Sequence, residues 1–523
     1  MTDKYILAID LGTSGPKVGV FSSQGQVVGY EFEPTRVMLL PNGGAEQDPD
    51  DWWEAIKRAT RRLLGQVKIP IDDIAALCCT TQWSGTVAVD RAGCHLMNAV
   101  IWLDSRGAKY IDRITGGGIA IEGYAVGKLL KWIRLTGGVP THSGKDPIAH
   151  ILFIKNELPK IYESTFKFLE PKDYLNLRLT GKFAASYDSI ALHWLTDNRD
   201  ISRVDYDAGL LKMSGIARDK LPDLKRAVEI LGTIKPAVAA ELGLREKTQV
   251  VMGTPDVHSA AIGSGAVRDF DAHLYLGTSS WLACHVPYKK TDLFHNMASL
   301  PAALPGKYLL TNEQDSAGAA LNFLRDNLVY PDDELRPSAA PDDALEAFDR
   351  IAARVSAGSG KLIFLPWLNG ERTPVDNSGL RGGFFNASLK TTRAHLVRAV
   401  YEGVAYNSRW LLQYVEQFIK QRVDSVNIVG GGAKADVWCQ IHADVLDRPV
   451  LQVKNPIQAN MRGAAFLAAL ALGYLTVDDI PNRVEIAKTY QPNPDHRKIY
   501  DELFDEFVNI YKNNQKTFAR LNR

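Results

Sequence analysis

The chain has 523 residues, with 61 Lys plus Arg against 60 Asp plus Glu. That balance excludes an obvious nucleic-acid or acidic-membrane binder, and the length allows two large domains, each burying its own core. Five cysteines at positions 78, 79, 94, 284 and 439 lack metal-ligand spacing, and no apolar run spans a bilayer, so a cytoplasmic protein with reduced buried thiols is expected. The N-terminus shows no signal-peptide pattern.

Tyr5 to Ile9 is apolar and partly β-branched and predicts a buried strand. Asp10 stands at its end, Gly12 to Gly15 make a tight turn, and Lys17 to Phe21 predict a second strand. Gln26 to Phe32 give a third, completing an antiparallel meander. A Gly-Thr-Ser loop of this kind directs backbone N–H groups and hydroxyls at phosphate oxygens. Asp10 beside a phosphate needs a cation between them, and Mg²⁺ is the hard ion that suits. An ordinary hairpin with a surface Asp is the plain alternative.

Asp48-Pro49 followed by two acidic residues starts a helix to about Leu64. Ile74 to Thr80 predicts a strand that delivers Gln82-Trp83-Ser84-Gly85 to its carboxyl end, and Thr86 to Val89 leads away. Ala99 to Leu103 predicts another, ending in Asp104-Ser105-Arg106. Ligands collect beyond strand carboxyl ends in open α/β domains, so Gln82, Trp83, Ser84, Asp104 and Arg106 are candidates for one rim. Solvent-facing loop residues are the alternative, weakest for Trp83, whose large apolar surface must cover something. Tyr124 to Trp132 starts an amphipathic helix in which a structural role suits Lys128 better than a substrate contact. A helix follows Pro171, and Ala184 to Asp188 is a second ligand-loop candidate.

Gln249 to Gly253 predicts a strand, and Asp256 follows at once, before a small-residue helix over Ser259 to Gly265. A carboxylate at a strand end near a domain join is a candidate catalytic base. A helix N-cap is the alternative. His273 to His285 then repeats the plan of strand, Gly277-Thr278-Ser279 turn and strand, roughly half the chain after the first. Such a duplication predicts two related domains facing one nucleotide. The Walker and dinucleotide glycine motifs are absent. Asp315 to Asn322 opens a helix, Pro337 to Asp343 predicts a surface connection, and Leu362 to Leu368 feeds the loop Gly370-Glu371-Arg372-Thr373-Pro374. Ala394 to Phe418 is a long helix. Val426 to Val429, Gly430-Gly431-Gly432 and a helix from Asp436 suit the adenosine end of a nucleotide, and Met461 starts the last buried helix.

These parts, in this order, resemble the FGGY family of carbohydrate kinases over nearly the whole chain. Within it the chain is similar to xylulokinases, through IDLGTSGPKV, EQDPDDWW, PKDYLNLRLTG and GERTP. The resemblance implies an α/β fold of two actin-like (RNase H-like) ATPase domains, residues 1–262 and 263–523, with a nucleotide and substrate cleft between them. It implies ATP-dependent, Mg²⁺-dependent phosphorylation of a hydroxyl of a ketose or polyol. Asp256 then matches the general base, and Asp10 the Mg²⁺ and phosphate carboxylate. Thr13, Ser14 and Lys17 match the first phosphate loop, and Gly277 and Thr278 the second. Gly318, Asn322, Gly431, Gly432 and Asp436 match the nucleotide lining. Trp83, Ser84, Asp104 and Tyr124 are assigned to the substrate. The implied partners are a small sugar or polyol and a second copy of the chain, with no nucleic acid or membrane.

Three departures stand out. Trp83-Ser84 replaces the Met-His of xylulokinases, Val257 replaces a usual Asn or Gln, and Asn386 replaces a usual Gly. The pocket loses polar sugar contacts and gains an aromatic wall, which suits a deoxy, shorter or less polar substrate such as glycerol, erythritol or a deoxy-ketose. A non-catalytic sugar and ATP sensor is a rival, which would be expected to lose Asp10 or Asp256. An actin-like chaperone or filament is another, and the chain has no room for a peptide-binding domain.

Overall fold

The computed structural model describes residues 4–335 and 339–522. Pro337 and Ser338, in the expected surface connection, lie outside the described residues.

Two mixed sheets organise the chain. The first holds β1 (Tyr5–Gly12), β2 (Gly15–Ser22), β3 (Val27–Phe32), β4 (Ile74–Thr81), β5 (Ile230–Thr233) and β6 (Gln249–Pro255), in the order β5-β6-β4-β1-β2-β3. The second holds β7 (Ala272–Leu276), β8 (Ser280–Val286), β9 (Thr291–Asp292), β10 (Met297–Pro301), β11 (Tyr308–Thr311), β12 (Val426–Val429), β13 (Val450–Val453) and β14 (Ile486–Tyr490). Its order is β9-β10-β11-β8-β7-β12-β13-β14. Each sheet is built on an antiparallel hairpin, β1–β2 or β7–β8, whose first strand takes a parallel neighbour, β4 or β12. The duplication expected from the two Gly-Thr-Ser turns is therefore a duplication of topology. Ile6 to Leu11 are buried along their whole length, as a central strand covered on both faces requires.

Helices cover these faces. α1 (Pro49–Gln66) is N-capped by Asp48, whose side chain accepts the Asp50 N–H, and it buries Trp52, Trp53 and Ile56 against the first sheet. α2 (Pro171–Thr180) lies beside β6, and α3 (Asp256–Gly263) leaves the end of β6 directly. In the second half α4 (Gly318–Phe323), α5 (Arg393–Ile419), α6 (Asp436–Leu446), α7 (Ala459–Ala471) and α8 (Arg497–Leu521) pack around the second sheet.

The two halves meet where α3 crosses α7. A Cβ on Gly263 would lie 1.8 Å from the Ala459 carbonyl oxygen, and one on Gly463 would lie 1.9 Å from that of Ser259. Only glycines let these backbones touch. The same α7 covers Ile6 and Ala8 of the first sheet beside Val429 and Val453 of the second.

Several expectations change. The strand expected over 99–103 is only Ala99–Val100, because Asp104 N–H turns back onto the Ile101 carbonyl. Ala184–Ser186 is a buried strand rather than a ligand loop. Cys94 is exposed, unlike the other four thiols. The last buried helix is α7, as expected near Met461, whereas the later α8 is amphipathic and inserts only Tyr500, Leu503, Phe504 and Phe507 into the second core. Lys128 is structural as expected, donating to the carbonyls of Ile114 and Gly116 at 2.8 and 2.7 Å. Asn386 has φ +67, the left-handed conformation that favours glycine and that asparagine tolerates.

Candidate active site

The β1–β2 register pairs Asp10 with Lys17 and Gly12 with Gly15, leaving Thr13-Ser14 as the two-residue tip. Side chains directly opposite share a face, so Lys17 Nζ meets Asp10 Oδ2 at 2.8 Å. Asp10 is buried and raises the pKa of Lys17 by its charge. Asp10 Oδ1 has no hydrogen bond among the described residues. Asp10 thus lies inside the strand, two residues short of the turn.

The Thr13 hydroxyl is committed. It donates to Gln82 Oε1 at 3.0 Å and accepts from Trp102 Nε1 at 2.9 Å. Gln47 closes the network, donating to the Thr13 carbonyl at 2.9 Å and accepting from Gln82 Nε2 at 2.7 Å. Ser14 is exposed at the tip.

Asp256 is the first residue of α3, and Pro255 precedes it without a side-chain cap. The N-cap alternative therefore falls. Asp256 Oδ1 accepts its neighbour's Val257 N–H at 2.9 Å. The residue keeps partial exposure toward the cleft, yet protein surrounds its carboxyl. Burial first, and then the Asp10 charge, push it up to about 8. Tyr275 of β7 feels the charges of Lys17, Asp10 and Asp256 together, which places β1, β2, β7 and α3 around one electrostatic neighbourhood.

The second Gly-Thr-Ser turn docks on the start of α4. Gly318 N–H donates to the Gly277 carbonyl at 2.8 Å, and Ala317 and Ala319 N–H donate to that of Thr278 at 2.9 and 3.1 Å. A Cβ on Gly277 would lie 2.3 Å from the Tyr275 ring. Thr278 and Asn322 are exposed. Of the three consecutive glycines, Gly430 has φ +93, and a Cβ on Gly432 would lie 2.7 Å from the Trp438 ring. Packing explains those two. A Cβ on Gly431 meets nothing within 4 Å, so this glycine alone faces open space. Asp436 is exposed at the start of α6 and pairs with Lys488 at 3.1 Å.

The turn after β4 is fixed by partners from distant segments. Trp83 Nε1 donates to the Ser189 carbonyl at 2.9 Å, and its ring meets the buried His258 edge to face at 5.1 Å. Ser84 has φ +66, and its hydroxyl donates to the Lys145 carbonyl at 2.7 Å. Gly85 N–H donates to Glu170 Oε2 at 2.9 Å. Asp104 is fully buried; its oxygens accept the Ala45 and Arg106 N–H groups at 2.8 and 2.9 Å and the Arg106 guanidinium at 2.7 Å. Tyr124 is buried, with its hydroxyl on the Pro140 carbonyl at 2.9 Å and its ring 4.1 Å from that of His142.

A charged cluster that was not assigned from sequence reaches Trp102 of the first half from the second. Arg372 pairs with Glu313 and, at 2.8 Å, with Asp315, and lies 5.6 Å over the Trp102 ring. Glu371 is buried beneath it, holding Asn407 Nδ2 and the Asp315 N–H, and burial pushes its carboxyl up to about 8. The GERTP segment was visible in the sequence; its partners Glu313 and Asp315, nearly sixty residues earlier, were not. Lys145, on a loop without periodicity, gave no signal.

The FGGY family of carbohydrate kinases matches the chain twice, its N-terminal domain at residues 5–263 and its C-terminal domain at residues 272–472. The chain is 27% identical to a xylulose kinase of Bacillus subtilis over 97% of each protein. It is 27% identical to a gluconokinase of the same organism, covering 97% of this chain and 95% of that one. Among solved structures, gluconate kinase from Lactobacillus acidophilus superposes with a TM-score of 0.85 at 25% identity, covering 99% of this chain and 100% of that one. Xylulose kinase from the same organism gives 0.85 at 24% identity, covering 99% and 100%. The two hairpin-centred sheets fall one in each matched family domain, and the chain belongs to the FGGY family of carbohydrate kinases.

Proposed function

We propose that this kinase transfers the γ-phosphate of ATP to a hydroxyl of an open-chain ketose or polyol, as a xylulokinase-like pentulose kinase, with Asp256 as general base. The observation that carries the reading is the Asp256 carboxyl, raised to about 8 beside the Asp10–Lys17 pair and, among the described residues, in no ion pair of its own. A base poised near the working pH is what hydroxyl activation needs. The acceptor oxygen attacks the γ-phosphorus, its proton passes to Asp256, and the bond between the γ-phosphorus and the bridging oxygen breaks to release ADP. Lys17 offsets phosphate charge from the first turn.

Mg²⁺ fits the site: the accessible Asp10 Oδ1 suits a hydrated hard cation, which supplies charge neutralisation at the phosphates. ATP is assigned to Thr13, Ser14 and Lys17 on one side and to Gly277, Thr278, Gly318, Asn322, Gly431, Gly432 and Asp436 on the other. The open backbone at Gly431 supports an adenosine cradle there. Trp83 is assigned as a sugar wall. The engaged atoms of Ser84, Asp104 and Tyr124 support their shaping the pocket rather than binding sugar hydroxyls directly.

We place the domain division at 1–262 and 263–523, in a cytoplasmic homodimer; the dimer rests on the resemblance alone. Near-balanced charge supports the lack of a nucleic-acid partner, and among the described residues no helix is long and apolar enough to cross a membrane. The test is ADP release measured with D-xylulose and a panel of ketoses and polyols. Sugar-stimulated turnover is expected. Sugar binding without turnover would favour a sensor.

A further inference from the structure

β6 is irregular just before it delivers Asp256. Val251 pairs with Cys78 and Thr254 with Thr80, so Met252 and Gly253 together face the single Cys79 of β4. That extra residue is a bulge, and a bulge re-aims the strand beyond it. Gly253 has φ +71, and a Cβ there would lie 2.1 Å from the Cys79 carbonyl oxygen, so this backbone requires glycine. Toward β5, the Met252 and Gly253 N–H groups donate to the carbonyls of Glu229 and Ala227 at 2.9 and 3.0 Å.

The Met252 carbonyl takes its donors from side chains of α2. It accepts Asn176 Nδ2 at 2.7 Å and Lys172 Nζ at 3.2 Å. The Lys172 ammonium also donates to Asp173 Oδ1, and Asp173 Oδ2 accepts the Ser189 hydroxyl at 2.8 Å. Asp188, the neighbour of Ser189, returns to β6 by accepting the Thr254 hydroxyl. All six of these polar side-chain residues are inaccessible to solvent. The bulge is thus gripped on both sides of Gly253, at Met252 and at Thr254.

A buried lysine–aspartate pair is a poor source of stability, because desolvation offsets its attraction and apolar residues of similar volume serve as well. An apolar pair cannot donate to a carbonyl, however. A buried carbonyl left without a donor is costly, so the bulge keeps its shape only where donors reach it. Lys172 reaches it from the first turn of α2, and Asp173 fixes where the ammonium sits.

We propose that Lys172 and Asn176, with Asp173 as the anchor of the lysine, are positioning residues that hold the β6 bulge and so fix the aim of Asp256. The inference rests on Asp256 acting as the general base. Fully buried, the three side chains do not touch the reacting atoms and act through the backbone from Met252 to Asp256. A misplacement of about 1 Å at a reacting group costs up to about 10²-fold in rate.

Lys172→Met combined with Asp173→Asn removes both charges, keeps the volume and leaves an amide oxygen for the Ser189 hydroxyl. Asn176→Leu removes the other donor and leaves the ion pair in place; Asn176 Oδ1 has no hydrogen bond among the described residues, so little else is lost. Each change is made in the wild type and in Asp256→Asn. ADP release is measured with D-xylulose, or with the member of the ketose and polyol panel that the wild type turns over fastest, and melting temperatures show which variants fold. In the wild-type background kcat should fall about 10- to 100-fold for the charge-free pair and several-fold for Asn176→Leu, with KM for ATP within about twofold. In Asp256→Asn the same changes should lower the residual turnover by less than about twofold, because the group they aim is gone. A folded variant with native kcat overturns the proposal. So does an equal loss in both backgrounds, or a rise in KM for ATP that matches the loss of kcat, either of which makes these residues general scaffold. If the charge-free pair does not fold, Asn176→Leu decides alone. Equal losses beside a crippled Asp256→Asn leave the kinase reading intact, whereas near-native turnover of Asp256→Asn, or a wild type that no acceptor stimulates, removes that reading and this inference with it.

Discussion

Asp256→Asn separates a working base from a stabilising carboxylate, because the two predict opposite changes in stability. The Asp256 carboxyl ionises near 8 in the folded protein against an ordinary value of 3.8. Between those values the native state keeps a proton that the unfolded state has released, so stability falls as pH rises through this window and stays low above it. A shift of about four units corresponds to at most ~5–6 kcal/mol at 1.36 kcal/mol per unit. Asp256 opens partly onto the cleft, so solvent reduces this to roughly 2–3 kcal/mol. Asparagine keeps the shape and the oxygen that accepts the Val257 N–H, and removes the charge. At pH 9 the variant should melt ~5 °C above the wild type, by the usual conversion for a domain of this size. The difference should shrink toward pH 4. Turnover should fall by about 10²–10⁴, the usual cost of a lost general base, and wild-type kcat/KM should rise with pH through a value near 8. Thermal unfolding at pH 5, 7 and 9 beside a coupled ADP assay measures both. A variant with near-native turnover, or one that melts lower at pH 9, would refute the reasoning.

Asp10→Ala strips Lys17 of its partner and removes the free carboxylate oxygen; turnover should drop and the Mg²⁺ titration should flatten, and an unaltered titration counts against the assignment. Trp83→Ala loses a half-buried ring packed on His258 and should cost roughly 2 kcal/mol, about half of a fully buried aromatic. It should also raise KM for the acceptor with KM for ATP little changed; a melting loss with an unaltered acceptor KM would make Trp83 a core residue only. Gly431→Val places its branch in open space, so melting should barely move while KM for ATP rises several-fold; an unchanged ATP KM would remove Gly431 from the nucleotide site.

The sequence made legible whatever depends on neighbours along the chain. Alternating strand and Gly-Thr-Ser turn placed Asp10, Thr13, Ser14 and Lys17 together, and the same pattern at Gly277 and Thr278 exposed the duplication. Asp256 was legible because a strand end fixes where its first carboxylate points. Roles decided by a partner far along the chain were not legible. The carbonyl 61 residues away that takes the Ser84 hydroxyl proton gave no signal in the sequence. Asp104 looked like a rim residue until Ala45, 59 residues earlier, and Arg106 took its oxygens. The triple glycine invited one explanation and has two, since Gly430 and Gly432 answer to the backbone of Leu276 and the ring of Trp438, and only Gly431 to open space.

The same distinction explains where this chain departs from the pattern it resembles. Replacing a pair of polar sugar contacts by Trp83 and Ser84 removes hydrogen bonds from the turn, and the Ser84 hydroxyl turns away to hold the loop of residues 143–145. Asp10, Lys17 and Asp256, the residues proposed for catalysis, are anchored instead to β1, β2 and the end of β6. The residues proposed for transfer and those proposed for the acceptor therefore sit on separable elements. Strand ends hold the residues proposed for the transfer step, and a contact of the Ser84 hydroxyl with a distant loop holds the turn that carries Trp83.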